Sequence, residues 1–311
     1  MALSTIVAGC DLSVPGDAAL ERAATLAAAH GAKLVIVHVL ADDAPQVHTD
    51  NVLAEKLGEV SAAVRAAEAV RLADKVLALQ KRGVAAEVLT PVGAPGEVLA
   101  QTAQRHDADL LVVGTHGHTG LARFLIGSVA TEALRYAPCD VLVCRGQAIG
   151  TFARPLVAVD FSPAATRALA HTAELVTTST SRPTIDLVHA WQLPAGSWGA
   201  TLLGQARFPW STVRDAVLSS AQSQLDKLIA SQSKLGNPLH GELVQGPPAS
   251  ALTATAERGG NDLIAVGTHG HRGFRRLLLG SVAEDVIRHA PCSVLAVHGE
   301  HAGETARFQK Q

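Results

Sequence analysis

The feature that most constrains this chain is a motif that occurs twice at one register. Val113-Gly114-Thr115-His116-Gly117-His118-Thr119-Gly120 leads through residues 121–126 to Gly127-Ser128-Val129-Ala130. The pattern returns as Val266-Gly267-Thr268-His269-Gly270 and Leu279-Gly280-Ser281-Val282-Ala283. Gly114 and Gly267 are 153 residues apart, and so are Gly127 and Gly280, so nothing is inserted or lost between the glycines. Each copy follows an apolar, strand-like run, residues 109–113 and 262–266, and precedes a helix-like segment. Glycine between a buried strand and a helix lets backbone amides approach a ligand closely, because no Cβ intervenes. A helix start adds unpaired amides and the positive end of its dipole, and Ser128 and Ser281 stand where a capping hydroxyl is expected. Strand, glycine turn and helix start together make an anion site, most often for phosphate.

A duplication of this kind in 311 residues predicts two domains, each large enough for its own core. The first is expected over residues 1–147 and the second over 154–299, with a flexible polar tail at 300–311. The formal net charge of −2 gives no long-range attraction to nucleic acid or an acidic membrane. The start, Met1-Ala2-Leu3-Ser4-Thr5, lacks the basic and apolar regions of a secretion signal, and no apolar run reaches the roughly 20 residues that span a bilayer. Four cysteines make no disulfide framework in a chain this long. Cys139 and Cys292, in matched Ala-Pro-Cys positions, read as buried thiols of a reducing cytoplasm rather than as redox sensors.

In the first half, residues 3–9 read as a strand, 15–30 as an alanine-rich helix closed by Gly31, and 33–40 as a second strand. A polar loop at 42–50 leads to a long amphipathic helix that runs to about residue 82 and stops at Gly83. Residues 84–90 form strand three, 97–106 a short helix, and 140–144 strand five. The second half repeats this with strands at 155–159, 184–190, 239–245 and 293–297. Continuous apolar strands alternating with helices imply an α/β chain with two tandem doubly wound parallel sheets, five strands each. Ligands in such sheets sit beyond the carboxyl ends of the strands. Residues 191–210 have no counterpart and hold all three tryptophans. They read either as a loop packed on its own domain or as a lid over the second site.

With Gly-x-x-Gly, nine residues and Gly-Ser met in both copies, the chain resembles the universal stress protein family, in its ATP-binding subclass and tandem form. The resemblance implies strand order 3-2-1-4-5 in each half, a fold of the adenine nucleotide alpha hydrolase type. It implies one ATP site per half, with Mg2+ or Mn2+ held through the phosphates and no protein metal site. Asp11 and Asp160 would contact the adenosine, and the backbone at Val39 and Ala190 the adenine edge. The residues themselves leave a second reading open, in which each aspartate caps the following helix with Ser13 or Ser162. The phosphate clamp would comprise Gly114, His116, Gly117, Gly127, Ser128 and Val129, and in the second half Gly267, His269, Gly270, Gly280, Ser281 and Val282. Arg123 and Arg276, again 153 apart, would neutralise β- or γ-phosphate charge or stand as solvated surface cations. His118 and His271 occupy places where the family commonly has arginine. The resemblance also implies a pseudo-dimer of the two halves through their fifth strands, and a homodimer of the chain.

Several classes are excluded. There is no Gly-x-x-x-x-Gly-Lys-Ser/Thr, no Gly-x-Gly-x-x-Gly after the first strand and no nucleophile elbow. No residue is placed to orient water on a γ-phosphate. The expectation is therefore an ATP-binding regulatory or stress-response protein with slow or no hydrolysis. A weak ATPase or phosphotransferase, or an interaction scaffold whose loops bind no nucleotide, are the alternatives.

Overall fold

A computed structural model describes residues 3–40, 51–115, 126–146, 150–193, 210–268 and 279–298. The chain divides into two compact units between Thr151 and Phe152. In the first, the strands are β1 (Thr5–Gly9), β2 (Lys33–Val37), β3 (Ala86–Leu89), β4 (Leu110–Gly114) and β5 (Asp140–Cys144). Its helices are α1 (Val14–His30), α2 (Asn51–Lys81), α3 (Pro95–Arg105) and α4 (Ser128–Tyr136). The second unit has β6 (Pro155–Ala158), β7 (Ile185–Trp191), β8 (Leu239–Gln245), β9 (Leu263–Gly267) and β10 (Ser293–Val297). Its described helices are α5 (Pro163–Val176), α6 (Trp210–Ser231), α7 (Pro248–Gly259) and α8 (Ser281–His289).

The strands of the first unit run in the order β3-β2-β1-β4-β5 and those of the second in the order β8-β7-β6-β9-β10, so each unit has the expected 3-2-1-4-5 order. All described pairings within each unit are parallel. Strands covered on both faces must be apolar throughout, and Ile6 to Ala8, Leu34 to Val37, Leu110 to Val113 and Val294 to Val297 are all buried. The helices begin and end as their sequences direct. Ser13 caps α1 by accepting from the Gly16 amide, Ser162 caps α5 by accepting from the Ala165 amide, and Gly31 ends α1 at φ 66°.

At the amino ends of the central strands, Asp109 accepts hydrogen bonds from the Ser4 amide (2.7 Å), the Ser4 hydroxyl and the Thr5 amide (3.0 Å). Asp262 does the same for the Ala153 and Arg154 amides, at 2.7 and 3.0 Å. Each carboxylate thereby holds the start of its first strand to the start of its fourth.

Two expectations are corrected. The long helix α2 is only weakly amphipathic, burying Leu72 and Leu79 while Val60, Val64, Val70 and Leu77 face solvent. Its 31 residues reach about 46 Å. A five-residue strand spans about 17 Å. The helix overruns the sheet, and its surplus apolar residues have no sheet to cover. Second, Ser128 and Ser281 do not cap α4 and α8; the caps are Gly127 and Gly280, with ψ of 154° and 143° and no side-chain bond. Each serine is already the first helical residue, past the place from which its hydroxyl could accept from the first-turn amides.

Burial raises the Cys10 and Cys139 thiols above their ordinary value and pushes Cys144 up to about 12, the Arg22 charge opposing this last shift. Cys292 is buried as well. No helix among the described residues is long and apolar enough to cross a membrane.

Two measurements test this frame. Asp109→Ala should lower stability by about 1–2 kcal/mol and Asp109→Asn by less, because the amide carbonyl still accepts; the urea unfolding midpoint reports both. Cys144 stays protonated when folded while its unfolded form ionises near 9, so its contribution is intact below that value and is lost as pH rises toward 12. Cys144→Ala should flatten that alkaline loss in unfolding curves recorded between pH 8 and 11.

Candidate functional site at the carboxyl ends of the strands

Each unit gathers three segments at the carboxyl edge of its sheet: the turn after the first strand, the end of the second, and the start of the fourth helix. In the first unit, the Gly127 amide before α4 donates to Thr115 O at the end of β4 (2.8 Å). In the second, the Gly280 amide donates to Thr268 O (2.9 Å). The bond draws the helix start back to the strand end. Thr115 and Thr268 are buried, which fixes that junction. The helix that follows presents its first-turn amides, including those of Ser128 and Val129 or Ser281 and Val282, with no side-chain cap.

The turn after β1 is built around a strained residue. Leu12 has φ 60° and Phe161, its counterpart, φ 61°. A branched or bulky side chain in the left-handed region costs about 1–3 kcal/mol. The twist lets the preceding carboxylate fold over its own backbone. Asp11 Oδ1 accepts from the Ser13 amide (3.0 Å) and hydroxyl, and Asp160 Oδ1 accepts from the Ser162 amide (2.9 Å). The serines are the caps, and the aspartates hold the serines. Of the two earlier readings, these bonds give the helix-start one in modified form: the carboxylate secures the capping serine, from the carboxyl end of the first strand.

Close packing ties these parts together. A Cβ on Gly16 would run into the Asp11 carboxylate, and one on Gly114 would stand 3.1 Å from Pro15 O. Asp11, the first turn of α1 and the end of β4 are therefore contiguous. Gly267 abuts Ala164 in the same way: a Cβ added to it would stand 2.9 Å from the Ala164 Cβ. Gly114 and Gly267 are thus needed for helix-to-strand approach in their own right. Val39 and Ala190 lie at the ends of the second strands, Ala190 paired with Val244 inside β7. His116, Gly117, Arg123, His269, Gly270 and Arg276 lie outside the described residues, as do residues 41–50, 194–209 and the tail.

The universal stress protein family profile matches residues 3–145 and 151–298. The chain belongs to the universal stress protein family. A universal stress protein of Mycolicibacterium smegmatis is 29% identical over 307 residues, covering 94% of this chain and 96% of its own length. One from Mycobacterium tuberculosis is 30% identical over 311 residues, covering 93% and 95%. Among solved structures, a universal stress protein from Archaeoglobus fulgidus aligns over 94% of this chain and 98% of its own, at TM-score 0.62 and 20% identity. Those relatives share the tandem arrangement across the whole chain, and the solved structure shares its fold.

Sequence reasoning missed a matched pair of histidines in this universal stress protein. His38 Nδ1 donates to Cys10 O (2.8 Å) and His189 Nδ1 to Val159 O (2.7 Å), the carbonyls just before Asp11 and Asp160. Each ring bridges the ends of the first two strands. The repeated Val-His at the close of both second strands was the available signal. Gly16 was missed too, and its counterpart in the second unit is Ala165.

That difference is testable. Gly16→Ala should displace the Asp11 carboxylate and lower stability by about 1–3 kcal/mol through overpacking. Ala165→Gly should cost about 1 kcal/mol through helix propensity alone. Urea unfolding measures both, and amide chemical shifts of Asp11 to Ser13 should move only in the first variant.

Proposed function

We propose that this universal stress protein is a cytoplasmic ATP-binding regulator with one nucleotide site in each half. The observation that carries the reading is the pair of buried strand ends, each bonded to the start of a helix whose first-turn amides have no side-chain cap. Such a helix start favours an anion through its dipole and its unpaired donors. The carboxylate of Asp11 or Asp160, at the neighbouring strand end, is suited to accept from a ribose hydroxyl or an adenine amino group. The resemblance assigns the rest of the clamp to Gly117, Arg123, Gly270 and Arg276, and the divalent cation to the phosphates. On this reading the cation arrives with the nucleotide.

These groups bind and orient. On this reading occupancy rather than turnover is the signal, and self-association or partner binding would follow it. Mass spectrometry of nucleotide released from the purified chain should detect adenine nucleotide. Calorimetry with ATP and Mg2+ should give heat, with the 3′,5′-cyclic monophosphate as a competitor because a universal stress protein has been solved in complex with cAMP. Gly117→Trp and Gly270→Trp should each remove one of two binding events. Absence of heat with every nucleotide would leave the scaffold reading, and hydrolysis well above background would favour the ATPase.

A further inference from the structure

The two units share a fold but not the fastening of the turn that carries the aspartate. In the first unit, one stripe of α2 grips that turn at three points. Glu68 Oε2 lies 3.6 Å from Nε2 of the buried His38, whose other nitrogen is bonded to Cys10 O. Arg71 Nη2 donates to the carbonyl of the strained Leu12 at 3.1 Å. Lys75 Nζ pairs with Asp17 Oδ1 at 2.9 Å. Residues 68, 71 and 75 fall on one helical face, so the three contacts act together along the segment from Cys10 to Asp17.

Helix α6 is the counterpart of α2, with Leu225 buried where Leu72 is and Gly236 in the left-handed conformation where Gly83 is. At the same 153-residue spacing, Ala221, Gln224 and Leu228 replace Glu68, Arg71 and Lys75; Thr166, 149 residues on like Asp160 from Asp11, stands for Asp17. Alanine and leucine carry no polar atom with which to hold the turn. Phe161 instead stacks on His189, ring centres 4.5 Å apart. Beside them is a cleft of about 420 Å3 lined by Phe161, His189, Ala216, Val217, Ser220 and Gln224. Among the described residues, none of these three α6 positions bonds to the turn as the acid, guanidinium and ammonium of α2 do in the first unit.

We propose that Glu68, Arg71 and Lys75 are positioning residues that hold the Asp11 turn ready for its ligand, while the Asp160 turn must be ordered when ligand binds. Resting on the nucleotide reading above, this makes the two sites unequal. The first binds more tightly because less of the binding energy goes into ordering the turn.

The amide bonds of the two turns are matched, so their exchange can be compared pair by pair, and variants in α2 isolate its effect. Cys10, Ser13, Gly16 and Asp17 amides donate to Val37 O, Asp11, Ser13 Oγ and Ser13 O. Val159, Ser162, Ala165 and Thr166 amides donate to Val188 O, Asp160, Ser162 Oγ and Ser162 O. Hydrogen exchange on the ligand-free full chain should therefore show the first set exchanging about tenfold more slowly than the second. The triple variant E68A/R71Q/K75L should bring the first set to the rate of the second, and R71K alone should keep most of the protection. Equal rates in the two turns, or no response to the triple variant, would overturn the proposal. In calorimetry with ATP and Mg2+, the intact chain should show two classes of site about tenfold apart, and the triple variant should weaken only the tighter class. One class of equal sites also overturns it. Absence of heat refutes the nucleotide reading and the inequality with it, while the exchange experiment separately decides whether α2 holds the turn.

Discussion

The bond from a glycine amide back to a buried threonine carbonyl determines what each half can do. It sets where the fourth helix begins, and hence where the unpaired amides of its first turn lie relative to the sheet. A side-chain cap would have satisfied one of those amides internally. Glycine at the cap satisfies none through a side chain. The same choice costs little in stability, because glycine ranks near threonine as a cap residue. The candidate site is thus a by-product of how the chain turns the corner, and it recurs because the corner recurs.

Much of the fold could be read from the sequence because parallel strands buried on both faces have to be apolar along their length. The bounds of β5 and β10 fall where the apolar runs do. Ser13, Ser162 and Gly31 sit at helix ends for reasons local to a few residues. The order of the strands was a different matter: it came from the family resemblance, since adjacency in a parallel sheet depends on crossovers that no local pattern encodes.

What stayed hidden was set by contacts between distant residues. Nothing about a leucine or a phenylalanine announces a left-handed backbone, so the twist at Leu12 and Phe161 had no signature. Gly16 reads as an ordinary residue of a helix start until the Asp11 carboxylate is found lying against it. Ser128 and Ser281 were misassigned because the pair Gly-Ser before a helix suggests a serine cap. The glycine amide's bond to the strand end shifts the boundary by one residue. The apolar content of α2 suggested an amphipathic helix, but the length of the strands beneath it limited what could be covered.

The aspartates at the opposite edge of each sheet carry a consequence of their own. By clasping the first strand to the fourth through Asp109 and Asp262, they let the architecture be secured at one rim. The other rim is released from that duty. Its turns can tolerate contorted torsions, exchange one anchoring residue for another, or diverge between the two halves without unravelling the strands below. Duplication followed by specialisation of one copy is easier in a molecule whose framework and working surface are kept at opposite poles.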